Sequence, residues 1–284
     1  MRIFLIIAML VFSLNAKSFF GNSDQEDNSK YIGALKDLII ATQKTRGLTN
    51  SFLNGNTTSL LLVYNHRENM KKAIGTMESL PLASDPIINN RATNISQSLI
   101  QLNRRALKND ASVVFEKYTE LIEHTLMLAQ TVSKRGSDDL SPLAGKLSVV
   151  MMEVILPFTE YVGQMRGMGS GIVAKGAITN VQEAQLLAII NEITNLSSSL
   201  LSQMRSISSR DKKHFASDLE SMLVSIEEAS KNYIALTNKE ILKTQEIAFD
   251  ADTYFNQGAA LISLLIDVYD ISNKVILEDS KGWF

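Results

Sequence analysis

Apolar residues recur every three to four positions over most of the chain, and no strand-like alternation of useful length interrupts them. Ile32, Leu35, Leu38, Ile39, Leu48, Phe52 and Leu53 form a wide helical stripe. The stripe predicts a helix over 25–54, opened by Ser23 and Asp24 as caps and closed by Gly55. A second helix over 58–80 stops before Pro81, and Ser84-Asp85-Pro86 sets a cap and an N1 proline for a third over 86–108. A fourth, over 110–134, stops at Gly136. Ser141-Pro142 opens a helix to about 174, in which Pro157 predicts a kink or a split, and Gly176 follows as a stop. Thr179 with Gln182 reads as a capping box for 180–206. Another helix is expected from Ser209 to about 243, with a break near Thr237, and Asp250 caps the last over 251–278. Short connections favour antiparallel neighbours. The expected fold is all-α: eight helices as two antiparallel four-helix bundles, 25–136 and 141–278, in one elongated unit.

Residues 1–16 stand outside this pattern. Arg2 precedes an apolar run from Ile3 to Leu14, too short to span a bilayer of ~30 Å, and Leu14-Asn15-Ala16 is a tolerable cleavage site. The segment reads as a cleaved secretory signal. No later window holds eighteen apolar residues in a row, so no membrane span is expected beyond it. With no cysteine in the chain, export points to a bacterial periplasm, where disulfides are optional.

Composition narrows the chemistry. The formal net charge is −2, without the basic excess that nucleic-acid binding uses, so no nucleic-acid partner is expected. The missing cysteines remove thiolate nucleophiles, zinc–thiolate sites and iron–sulfur clusters. His66, His124 and His214 are far apart in sequence and fit no metal spacing. No nucleophile–base pair, metal set or phosphate loop is legible, so the chain reads as a non-enzyme without metal or cofactor.

An internal repeat is more informative. With an offset of 120, Arg46-Gly47-Leu48 falls on Arg166-Gly167-Met168. Leu35, Ile39, Thr42, Arg46, Thr49 and Leu53 then match Ile155, Thr159, Val162, Arg166, Gly169 and Val173, stepping 4, 3, 4, 3, 4 as a bundle seam does. A competing seam of Leu38, Thr45, Leu48 and Phe52 would move Arg46 to the flank. A guanidinium keeps its proton, and burying one without a partner costs several kcal/mol, so something anionic should meet each arginine. Asp37 lies nine residues before Arg46, about 13 Å along the axis, and Glu160 lies six before Arg166, off the i, i+4 spacing. Neither arginine has a partner on its own helix. A carboxylate from another helix and an anion from solution both remain open.

Gly47, Gly167, Gly169 and Gly171 permit close approach of a backbone or a small ligand. Two guanidinium forks would suit a planar oxyanion, each giving two parallel N–H···O bonds. The more ordinary readings are ion pairs for the arginines, close packing for the glycines and core filling for Met151, Met152, Met165 and Met168. Gln43, Gln164, Asn50 and Ser170 read as ordinary helical residues, Glu227-Glu228 as a solvated face, and the histidines as exposed or capping residues.

Thr42-Gln43-Lys44-Thr45-Arg46-Gly47-Leu48-Thr49-Asn50-Ser51-Phe52-Leu53 resembles the first-helix signature of the nitrate- and nitrite-sensing (NIT) domain. Glu160-Tyr161-Val162-Gly163-Gln164-Met165-Arg166-Gly167 is similar to that family's second Arg-Gly helix, and Asp252-Thr253-Tyr254-Phe255 with Leu261, Ile262, Leu265 and Ile266 to its closing helix. The match spans about residues 30–278. Thr45 stands where the family often has a charged residue.

The resemblance implies an all-helical sensor domain that binds nitrate or nitrite through arginines. Arg46 and Arg166 carry over with Gly47 and Gly167, and Arg205 and Arg210 are the further candidates. It also implies a separate membrane receptor or kinase as partner, because no output domain follows Trp283-Phe284, and it leaves a homodimer open. The expected function is a periplasmic nitrate or nitrite sensor or binding protein. The competing readings are a ligand-free helical scaffold and a chemoreceptor-like sensor of small organic acids.

Overall fold

The computed structural model describes the backbone of residues 2–215 and 218–281, with side chains from residue 24 on. The expected signal segment, 1–16, lies outside the residues whose side chains are described. The helices are α1 (Arg2–Leu53), α2 (Leu60–Ser79), α3 (Pro86–Arg105), α4 (Ala111–Arg135), α5 (Pro142–Val150), α6 (Leu156–Lys175), α7 (Asn180–Arg210), α8 (Leu219–Thr237) and α9 (Ala251–Ser280). A π turn, Met151–Ile155, joins α5 and α6 without interruption, so the described residues hold eight continuous helices and no strand.

Most helix starts follow the capping chemistry. Asp85 accepts from the backbone N–H groups of Ile87 and Ile88, Ser141 from Ala144, and Asp250 from Thr253. Thr179 and Gln182 form the reciprocal capping box. Gly55 and Gly176 take positive φ values of 115° and 68°, the backbone that ends α1 and α6 and that glycine adopts without a Cβ penalty.

Two expectations about helix starts are corrected. Asp24 lies inside α1 and does not cap it. Ser209 opens nothing: it sits in the last turn of α7, its hydroxyl donating back to the Ser206 carbonyl, and the next helix begins at Leu219. Pro157 does not end its helix, which runs on through the π turn just before it. The continuous helix 142–175 is long and apolar enough to cross a membrane by length and composition, although just over half of its most apolar window is buried within the protein.

Two helices carry the core. α1 packs against α2, α4, α6 and α9, and α6 against α1, α7 and α9; α3 leans on α4, and α8 bridges α7 and α9. Between Tyr31 and Ser51 the only exposed residue is Asp37, and between Leu156 and Val173 none is exposed. A helix enclosed on every side buries both of its candidate seams, so Arg46 and Leu48 are both interior.

α1 and α6 meet at the repeated glycines. A Cβ on Gly167 would stand 3.0 Å from the Gly47 Cα and 2.9 Å from a ring carbon of Phe115. Gly167→Ala is therefore expected to cost about 1–3 kcal/mol in urea unfolding, since a backbone must move to admit the methyl group. Gly75→Ala, where nothing lies within 4 Å, should stabilise by up to ~1 kcal/mol. Equal stabilities for the two variants would contradict the close crossing.

Candidate functional site

Arg46 and Arg166 flank this crossing, and both are fully buried. The repeat becomes a structural pseudo-symmetry. The Arg46 guanidinium lies 4.9 Å from the ring centre of Phe115 on α4, and that of Arg166 lies 4.4 Å from the ring centre of Phe255 on α9. Each arginine thus stacks on an aromatic from the fourth helix of its own half, a contact that contributes as much as about 2 kcal/mol when dry. Each glycine receives the other half's ring: Gly47 faces Phe255, and Gly167 faces Phe115.

The symmetry fails in charge. Arg46 Nη1 donates to Glu160 Oε1 at 2.5 Å and to Thr119 Oγ1 at 2.8 Å, while its Nη2 donates to Glu160 Oε2 at 3.3 Å. Gln43 Nε2 and Gln164 Nε2 donate to the same carboxylate at 3.0 and 2.9 Å. Glu160 on α6, which sequence spacing set aside as a partner for Arg166, neutralises Arg46 from across the crossing. The two glutamines read as ordinary helical residues in fact hold that carboxylate. At the register 120 residues earlier stands Ile40, so the repeat supplies no second carboxylate.

Arg166 is accordingly unpaired. Its Nε, Nη1 and Nη2 are all buried without a hydrogen-bond partner among the described residues. Burial pushes this guanidinium down to about 10, the positive Arg46 acting in the same direction, while Tyr233 and Glu160 partly oppose them. It remains a cation at neutral pH. The Tyr233 hydroxyl of α8 is also buried without a partner at hydrogen-bond distance, and burial holds that phenol protonated by raising it well above its usual value. Gly258 of α9 lets both approach, since a Cβ there would stand 2.7 Å from the Tyr233 hydroxyl and 2.9 Å from the Arg166 Cβ. The buried centre therefore holds two guanidinium cations and one carboxylate, with uncommitted donors on Arg166 and Tyr233.

The other candidates are placed elsewhere. Arg205 is on the surface, where its Nε and Nη2 fork onto Glu220 of α8, and Arg210 is exposed at the end of α7. α6 and α7 are joined by a short turn at 176–179, so the α7 residue level with Arg166 is near 190, about 22 Å along the axis from Arg205. Asn50 ties the helices together by donating to the Gly167 carbonyl at 2.8 Å, and Ser170 donates to the same oxygen. The four methionines fill core, as their sequence context suggests. His124 is exposed, whereas His66 is half-buried beside α1. Phe115, Thr119, Tyr233 and Phe255 were not legible as site residues, because they reach the centre from three other helices, α4, α8 and α9.

A family model described as nitrate and nitrite sensing matches residues 37–274. The fold is similar to the solved structure of the NasR transcription antiterminator, with a TM-score of 0.67 at 14% sequence identity, covering 97% of this chain and 74% of that one. No curated protein matches the sequence. By the family match over most of its length, the chain belongs to the nitrate- and nitrite-sensing (NIT) family.

Proposed function

We propose that the protein is a nitrate or nitrite sensor in which Arg166 is the anion-binding group and the Arg46–Glu160 pair is the fixed anchor beside it. The observation that carries this reading is the imbalance at the centre: Arg166 is fully buried with three unpaired nitrogens, and the one nearby carboxylate is committed to Arg46. A planar oxyanion accepts two parallel N–H···O bonds from such a fork, each charged bond contributing about 1.5–3 kcal/mol. The Tyr233 hydroxyl stands ready as a further donor.

Phe255 covers the guanidinium in this arrangement. An anion reaches Arg166 only as packing around α9 opens, so the liganded and unliganded arrangements differ in how α9 sits on α1 and α6. A ligand that favours one of them shifts the population, which a partner can read. We further propose that the protein acts in the periplasm and relays to a separate membrane receptor or kinase. The short apolar leader behind Arg2 and the absence of cysteine support that location.

The test is a thermal-unfolding series with nitrate, nitrite, chloride, sulfate and acetate at matched ionic strength. Nitrate or nitrite is expected to stabilise selectively, by about 2.7 kcal/mol at a hundredfold excess over Kd. Equal shifts for all five salts would sink the proposal, and a preference for acetate would reassign the site to organic acids. The response should be flat between pH 6 and 8 and fade above about 10, where Arg166 loses its charge. The sign for stability is the reverse. The penalty of burying this cation is present in full below about 10 and is relieved as pH rises from there toward the ordinary guanidinium range.

A further inference from the structure

A cleft of about 400 Å³ opens between α1, α2 and α9, lined in part by Lys36, Ile40, Lys44, His66, Lys72 and Ile266. Its full lining holds three lysines and one carboxylate, Asp37. Lys36 is already committed, donating to Asp270 at 3.0 Å and lying 3.5 Å from Asp37. Lys44 is half-buried and pairs with no carboxylate among the described residues. It lies one helical turn before Gly47, the point where α1 touches both Gly167 and Phe255. On α9, Ile266 in the cleft and Phe255 over Arg166 are eleven residues apart, three turns along one face. Arg166 and Phe255 do not line the cleft, whereas Lys44, one turn before the glycine crossing, does.

The repeat says what the inner end of this cleft replaces. Ile40 has the register of Glu160, and Lys44 that of Gln164. In the second half those two positions present a carboxylate and its supporting amide to Arg46. In the first half the same positions hold an aliphatic side chain and an ammonium, and both line the cleft. A carboxylate is thus missing at the place where symmetry would put one, and a cation stands beside the gap. The two cations are close enough to matter to each other. Burial lowers the Lys44 ammonium, and the positive Arg166 adds to that; His66 is lowered by burial, then by Lys44 and Arg166. Neutral His66 adds no charge of its own at pH 7, so the unpaired attraction for an anion at this end comes from Lys44.

Resting on the assignment of Arg166 as the anion-binding group, we propose that Lys44, in the α1–α2–α9 cleft, is the second cation of the site, holding the anion where a symmetric carboxylate would have stood.

The experiment measures nitrate affinity by calorimetry on the full chain and on Lys44→Gln, Lys44→Arg, Arg166→Met and the surface control Lys213→Gln. Losing one charged hydrogen bond should weaken nitrate about tenfold or more in Lys44→Gln. Lys44→Arg should keep most of the affinity, and Lys213→Gln all of it. Lys44→Gln binding nitrate like the parent, while Arg166→Met binds none, overturns the role of Lys44 and leaves the Arg166 assignment standing. Undiminished binding by Arg166→Met overturns both. A loss of affinity in Lys44→Gln that Lys213→Gln reproduces reflects net charge alone and also overturns the proposal. Unfolding curves on each variant confirm that the folded protein is what binds.

Discussion

Replacing Arg166 with methionine is expected to make the protein harder to unfold and unresponsive to nitrate. The guanidinium is fully enclosed and none of its nitrogens has a partner among the described residues, so folding strips its water without full compensation. Methionine keeps an unbranched side chain of similar reach and gives up only the contact with Phe255, about 2 kcal/mol at most. The recovered desolvation is larger. Unfolding free energy should rise by about 1–3 kcal/mol, the range found when buried charges are exchanged for well-packed apolar groups. For a chain of this size that corresponds to roughly several degrees in Tm. The nitrate increment should vanish in the same variant. Gain of stability with loss of response is the signature of a group kept for binding. A marked loss of stability would instead mean that Arg166 serves the fold through an internal partner.

Glu160→Gln should move stability the other way. This carboxylate accepts from Arg46 at both oxygens and from the amides of Gln43 and Gln164. A glutamine of the same shape presents an NH2 to at least one of those donors, and it leaves both arginines without any negative charge at the centre. Breaking a buried pair from one side costs about 3–5 kcal/mol, a large fraction of the stability of an ordinary domain. Urea unfolding gives the loss directly. Nitrate should return more stability to this variant than to the parent, because an added anion then offsets two cations. An unchanged midpoint would show that the Arg46–Glu160 pair is not what holds α1 against α6.

The sequence carried the fold further than the site, for reasons visible in individual residues. Caps act locally: Asp85, Ser141, Thr179 and Asp250 each bond a backbone N–H two or three residues on, so they were legible in the linear pattern. Ser209 misled because a serine hydroxyl can also turn back to a carbonyl three residues earlier, as Ser208 and Ser209 both do. The 120-residue repeat was legible, and the structure gives it meaning by stacking its two Arg-Gly elements face to face. The charge pattern was not. Spacing along one helix tests i, i+4 partners only, whereas Glu160 reaches Arg46 across the crossing from 114 residues away. The asymmetry was nonetheless written in the repeat, in the contrast between Ile40 and Glu160.

The ring of Phe255 touches both the glycine crossing and the unpaired guanidinium, and it sits five residues into a helix of thirty. From there to Ser280 is about 37 Å of rigid rod at ~1.5 Å per residue. α9 is therefore a lever with its fulcrum at the site: a tilt of only about 5° there swings the far tip by ~3 Å over that length. A displacement too small to disturb the crossing becomes, at the other end of the molecule, one that another surface can feel.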